Sequence, residues 1–261
     1  MEAVDQMSLH LFNLTGRLAL ITGSSKGIGH AIAGGLAAAG AEIVLNGRDR
    51  QALEKARAGL AAKGFKVHAR SFDVTDAKAV SAAIADIEKT IGPIDILFNN
   101  AGMQFRGALE DYPLDAWERL KATNIDSVFF VGQAVARFMI ARKRGKIINV
   151  ASVQSELSRP GIAPYAATKG AVKMLTKGMA TDWARHGLQV NALAPGYFKT
   201  ELNAALVADP AFTAWLEKRT PAGRWADVEE LIGAAIFLAS DASSFVNGHI
   251  LHVDGGITAS L

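Results

Sequence analysis

Short apolar runs punctuate the chain at 18–22 (LALIT), 42–46 (EIVLN), 66–71, 94–98, 146–151, 188–193 and 249–253. Most are nearly uniform in Ile, Leu and Val rather than alternating, the pattern of strands covered on both faces. Between them lie longer stretches with apolar residues at three- and four-residue spacing. These predict helices over 30–40, to about 63, over 77–91, over 114–141, from Pro164 onward and over 228–239. Residues 198–226 break the rhythm and read as short helices and loops. Strand alternating with helix predicts an α/β fold: a seven-stranded, mostly parallel sheet flanked by helices on both faces. We expect a single domain over 1–261, with substrate-side loops at about 197–226.

Composition narrows this picture without redirecting it. Of 261 residues, 50% are hydrophobic and 20% charged, as in ordinary globular proteins. No Pro/Ser-rich linker divides the chain. There is no cysteine, so disulfides and thiolate metal sites are excluded, and no cluster of other metal ligands stands out. This usage suits a reducing compartment, and we expect a cytoplasmic location. The net charge of +3 is scattered apart from ARKRGK at 141–146, a solvated helix end, so no nucleic-acid partner is expected. No window is long and apolar enough for a membrane span, and the first sixteen residues lack the apolar core of a signal peptide.

The chemistry collects at strand ends. After the first run comes GSSKGIG, with Gly23, Gly27 and Gly29 separated by Ser25, Lys26 and Ile28. Glycines between a buried strand and a helix let a phosphate approach the backbone and the helix N-terminus. An acidic residue at the end of the second strand would hold the adenosine ribose 2′-OH of NAD. This chain reads Asn46-Gly47-Arg48 there, and Arg48, with Lys26 nearby, suits a 2′-phosphate. We therefore expect NADP(H), with Asp73 and Val74 at the end of the third strand beside the adenine. The fifth strand delivers Ser152. Tyr165 and Lys169 follow at i and i+4, on one face of a helix opened by Pro164. A nearby ammonium should lower a phenol's pKa toward the working pH of a proton donor, with Ser152 hydrogen-bonding the reacting oxygen. Asn124, mid-helix, is either solvent-facing or used.

Taken in order, Gly23-x-x-x-Gly27-x-Gly29, Asn99-Asn100-Ala101-Gly102, Asn124, Ser152, Tyr165-x-x-x-Lys169 and Pro195-Gly196 resemble the short-chain dehydrogenase/reductase family from about residue 14 onward. The resemblance implies a Rossmann-like doubly wound domain, usually a homotetramer, with a dinucleotide across the strand ends. It implies that Tyr165 transfers the proton, Lys169 lowers its pKa and holds the nicotinamide ribose, and Ser152 orients the carbonyl. Asn124 would hold a relay water. Asn100, Ala101 and Gly102 would line the adenosine ribose side, and the backbone at Pro195, Gly196 and Phe198, with Thr200, the nicotinamide end. Longer stretches (152–157, 164–180, 194–201, 218–225 and 242–256) resemble the branch of the family that interconverts gluconate and 5-ketogluconate with NADP(H). That branch usually carries an arginine pair after NNAG, whereas this chain has Met103-Gln104-Phe105-Arg106. Arg106, Gln154, Glu156 and Arg159, with Ser152 and Tyr165, are then the expected substrate contacts. The rival readings are a sibling reductase of another carbonyl, such as a 3-oxoacyl thioester or a different keto sugar acid, and a non-catalytic NADP sensor.

Overall fold

The computed structural model describes residues 9–261, so the first half of the segment read as no signal peptide lies outside them. β1 (Leu18–Ile21) is buried throughout, and its side chains alternate between two apolar layers. Ala19 and Ile21 pack on one face with α1 (Gly27–Ala38), α2 (Arg50–Ala61) and α9 (Ile232–Ala239). Leu18 and Leu20 pack on the other with α3 (Ala77–Thr90), α5 (Ser127–Arg142) and α6 (Ala163–Trp183). The remaining strands are β2 (Glu42–Asn46), β3 (Val67–Arg70), β4 (Ile94–Asn99), β5 (Gly145–Val150), β6 (Leu188–Pro195) and β7 (Ile250–Val253). Helices α4 (Leu114–Lys121), α7 (Ala204–Val207) and α8 (Pro210–Arg219) complete the set used below.

All seven strands join one sheet in the order β3-β2-β1-β4-β5-β6-β7, and every pairing is parallel. The chain runs outward from β1 to β3, then crosses back to lay β4 against β1 on the other side. Loops leaving β1 and β4 therefore part in opposite directions and open a crevice at the strands' carboxyl ends, where doubly wound folds bind ligands. Among the described residues no helix is long and apolar enough to cross a membrane.

Three local features differ from the sequence reading. The helix expected over 114–141 is two helices joined by a π turn, Ala122–Asp126. The last helix is preceded by a 3-10 turn, Val228–Leu231. A small third cluster of Val153, Leu216, Trp225 and Ile257, with Tyr197 and Phe212 against it, sits over one end of the crevice.

Candidate active site

The crevice is a cleft of about 540 Å³ running from the β1–α1 turn to the aromatic cluster. At its first end, Gly27 has φ +59°, a region costly for L side chains, and a Cβ there would enter open space. Gly29 has the opposite reason to be glycine: a Cβ would lie 2.4 Å from Asn100 Nδ2 and 2.8 Å from the Gly23 carbonyl oxygen. Asn100 Nδ2 donates to the Thr22 and Gly23 carbonyls at 2.8 and 3.0 Å, tying the glycine turn to the end of β4. The first turn of α1 carries no acidic residue and no side-chain cap, which leaves its N–H groups for an anion. At the end of β2, Asn46 is buried and its amide is spent inward on Gly23 N and the Arg70 and Phe72 carbonyls. Asp49 caps α2. Arg48 is thus 77% exposed, with Asp73 3.9 Å away. Asp73 accepts from Thr75 N and Oγ1, and together with Arg48 these bonds outweigh desolvation and lower its pKa.

At the centre stand Ser152, Tyr165 and Lys169. Ser152 Oγ donates to Gln154 Oε1 at 2.5 Å and accepts from Gln154 N at 3.2 Å, so in the free protein its proton lies on Gln154. Lys169 is buried, and Nζ donates to the Val150 carbonyl at 2.7 Å. Burial lowers Lys169 to about 8. Desolvation pushes Tyr165 up to about 12, opposed by the Ser152 hydroxyl and by the charge of Arg106. The expected lowering of the phenol by Lys169 is therefore not what this structure has. The ammonium lies 5.8 Å from the ring centroid and is turned to a carbonyl.

At the far end, Arg106 and Arg159 both line the cleft, and each has a buried Nε without a hydrogen-bond partner. Burial first, then the charge of Arg159, lowers the pKa of Arg106, so two cations stand together, and among the described residues no carboxylate pairs with either. Arg106 is held by Gln104 Oε1 at 2.8 Å, and Arg159 lies over the Phe212 ring at 5.2 Å. Phe105 packs edge-on against Tyr112, away from the cleft, so the departure at 105 leaves Arg106 as the guanidinium that this loop contributes.

Residues 23–258 match a family model described as enoyl-(acyl carrier protein) reductase, a model of the short-chain dehydrogenase/reductase family. This chain belongs to that family. The short-chain dehydrogenase/reductase is 64% identical to gluconate 5-dehydrogenase of Gluconobacter oxydans (strain 621H) over 96% of this chain and 98% of that protein. It is 54% identical to 5-keto-D-gluconate 5-reductase of Escherichia coli (strain K12), over 96% and 99%. A solved gluconate 5-dehydrogenase from Burkholderia cenocepacia J2315, in complex with NADP and tartrate, superposes with a TM-score of 0.96 at 59% identity, covering 97% of this chain and all of that one.

In this short-chain dehydrogenase/reductase nearly all the residues singled out from sequence face the same cleft. Gly23, Ser25 to Gly29, Arg48, Asp73, Val74, Asn100 to Gly102, Arg106, Ser152, Gln154, Arg159, Tyr165, Lys169, Pro195, Gly196 and Thr200 are all there. Three stand elsewhere. Phe198 is buried in the core beneath α9, because β6 ends at Pro195 and the next turn sends Tyr197 to the cleft instead. Glu156 pairs with Lys173 at 2.6 Å, outside the cleft. Asn124 is buried behind the cleft wall. Its Oδ1 accepts from Met103 N at 2.8 Å, and Nδ2 donates to the Met103 carbonyl and Thr168 Oγ1 at 3.0 and 3.1 Å. The side chain thus positions the loop after β4 from behind the cleft wall. Sequence reasoning missed Asn46, Tyr197, Glu201 and Leu206 as lining residues. The signal for Tyr197 was present, since it directly follows Pro195-Gly196.

Proposed function

We propose that the protein is an NADP(H)-dependent oxidoreductase interconverting D-gluconate and 5-keto-D-gluconate. The observation that carries the substrate class is the arginine pair. Two partly buried guanidiniums with buried, unpartnered Nε donors, beside Tyr165 and Ser152, suit a carboxylate that accepts from both. A plain acyl chain, as in a 3-oxoacyl thioester, would leave both donors unmet. The likeness to gluconate 5-dehydrogenases supports the same choice.

The cleft fits the cofactor on its own features: an uncapped helix N-terminus, a glycine turn open at Gly27, and a β2 end with a cation and no free carboxylate. The glycine turn would hold the pyrophosphate, Arg48 and Lys26 the 2′-phosphate, and Asp73 and Val74 the adenine. Asn100, Ala101 and Gly102 would lie along the adenosine ribose, Lys169 at the nicotinamide ribose, and Pro195, Gly196 and Thr200 at the nicotinamide end. When bound, NADPH supplies the hydride for the carbonyl carbon. The chain's own residues do the rest. Ser152 turns its hydroxyl from Gln154 Oε1 to donate to the carbonyl oxygen, and Tyr165 delivers its phenol proton to that oxygen. The charge of Lys169 favours the phenolate that results, and Asn124 holds the wall loop in place.

A phenol at about 12 stays protonated across the working range, so Tyr165 is ready as an acid for reduction. Lys169, lowered to about 8, carries its charge below that pH and loses it above. Reduction is therefore expected to slow as pH rises through about 8. The test is the initial rate of NADPH oxidation with 5-ketogluconate, against NADH and against 2-ketogluconate and an acetoacetyl thioester. Preferred turnover of the thioester would replace the substrate and keep the cofactor. We also expect a homotetramer in the cytoplasm. Exposed Phe129 and Phe138 on α5 and Met174 on α6 offer an apolar face for assembly, and light scattering at monomer mass would remove that expectation.

A further inference from the structure

We propose that Tyr197 is a specificity-determining residue: its phenol proton is donated to a substrate hydroxyl near the reacting carbonyl, so the cleft prefers hydroxylated ketones to plain ones. The inference rests on the reading of the substrate as a keto sugar acid.

The position of the phenol is fixed from two sides. Its ring is clamped edge-on by Trp215 and Trp225, with centroids at 6.2 and 5.8 Å, and by a tilted Phe212 at 5.7 Å. Its oxygen accepts from Gln154 Nε2 at 3.2 Å. The other end of that amide, Oε1, is already taken by the Ser152 hydroxyl at 2.5 Å. With its oxygen on Ser152, Gln154 presents only its N–H donor to Tyr197 in the free protein. Among the described residues the Tyr197 O–H thus finds no acceptor, and Tyr197 lines the cleft together with Ser152 and Tyr165.

A phenol in that state wants an acceptor from the ligand. One amide separates Tyr197 from Ser152, the residue that holds the reacting oxygen, so the acceptor belongs to a carbon close to the reacting one. A keto sugar acid has a hydroxyl there and a simple keto acid does not. A site built to hydrogen-bond a hydroxyl discriminates strongly against an analogue that lacks it, because its own donor is then left unpaired.

The test is Tyr197→Phe, which keeps the ring and its three aromatic neighbours. The readout is the ratio of kcat/KM for 5-ketogluconate to that for 5-oxohexanoate, a keto acid without hydroxyls, both with NADPH. The expected result is a fall of about tenfold in this ratio, carried by a higher KM for 5-ketogluconate, with kcat on it held within about twofold. An unchanged ratio overturns the proposal, whether activity falls equally on both substrates, as a merely structural role would give, or on neither. If wild-type protein turns over 5-oxohexanoate but not 5-ketogluconate, or neither, the substrate reading fails and this proposal fails with it. If wild-type protein favours 5-ketogluconate and the variant does so equally, the proposal alone fails.

Discussion

The two ends of the cleft are built by different means. The cofactor end is made of backbone: a glycine turn, a helix N-terminus and strand ends, all from consecutive β–α units. The substrate end is made of side chains from three separate segments, with Arg106 after β4, Gln154 and Arg159 after β5, and Tyr197 after β6. Backbone sites follow from the fold and recur wherever it does. Side-chain sites follow from this sequence alone, and there the arrangement departs from a tidy core, with paired cations and unpartnered donors.

Substitutions can sharpen that contrast. The largest effect is expected where the ends meet. Tyr165→Phe should cut kcat by roughly a thousandfold while leaving NADPH affinity intact, read by single-turnover rates and fluorescence titration. Tighter coupling of the two ends would appear as a lost NADPH signal. Next comes Arg106→Met, which should lower kcat/KM for 5-ketogluconate by roughly a hundredfold. Because it also removes a repelling neighbour of Arg159, the free protein should melt higher. Opposite signs in activity and melting temperature are the mark of a site strained toward a missing anion, and a lower melting temperature would contradict it.

At the cofactor end the effect is smaller. Arg48 is exposed, so Arg48→Ala should weaken NADPH binding about tenfold and leave NADH binding alone, by titration. Smallest is a change far from both. Lys146, at the other end of β5, is buried, donates to Ser243 Oγ at 3.2 Å and is lowered to about 8 by burial. Between about 8 and the ordinary 10.5, the unfolded chain holds the proton that the folded one has lost, so this lysine's cost fades as pH rises. Lys146→Met should stabilise the protein by roughly 1–3 kcal/mol at pH 7, with the gain vanishing toward pH 10.5 in denaturant melts. The Ser243 hydroxyl still has the Leu238 and Ser240 carbonyls as acceptors. Activity should not move.

The sheet was legible because its signal is local. The apolar run at 42–46 matches β2 at both bounds, and Pro164 does fall in the first turn of α6. The cofactor end was legible for the same reason, since glycine spacing encodes backbone conformation directly. What escaped depends on partners distant in sequence. The π turn at Ala122–Asp126 surrounds Asn124, whose amide bonds Met103 and Thr168. Glu156 was drawn off by Lys173, seventeen residues on. Tyr197 was missed because nothing local says which side chain of the turn after β6 faces the cleft: Phe198 goes to the core and Tyr197 to the ligand side. The Tyr165 phenol rises rather than falls because burial outweighs the Ser152 hydroxyl and the Arg106 charge, while Lys169 is turned to a carbonyl.

Two of the contacts that hold the segment over the cleft differ in kind. Glu201 meets Lys26 of the glycine turn at 2.6 Å, with both side chains more than two-thirds exposed. Phe212 of α8 carries the Arg159 guanidinium, itself partly buried. Dissolved ions screen the first contact within a Debye length and barely reach the second. Ionic strength therefore acts mainly on one edge of the cover. At high salt the first contact should weaken before the second, loosening the cover at its cofactor edge first.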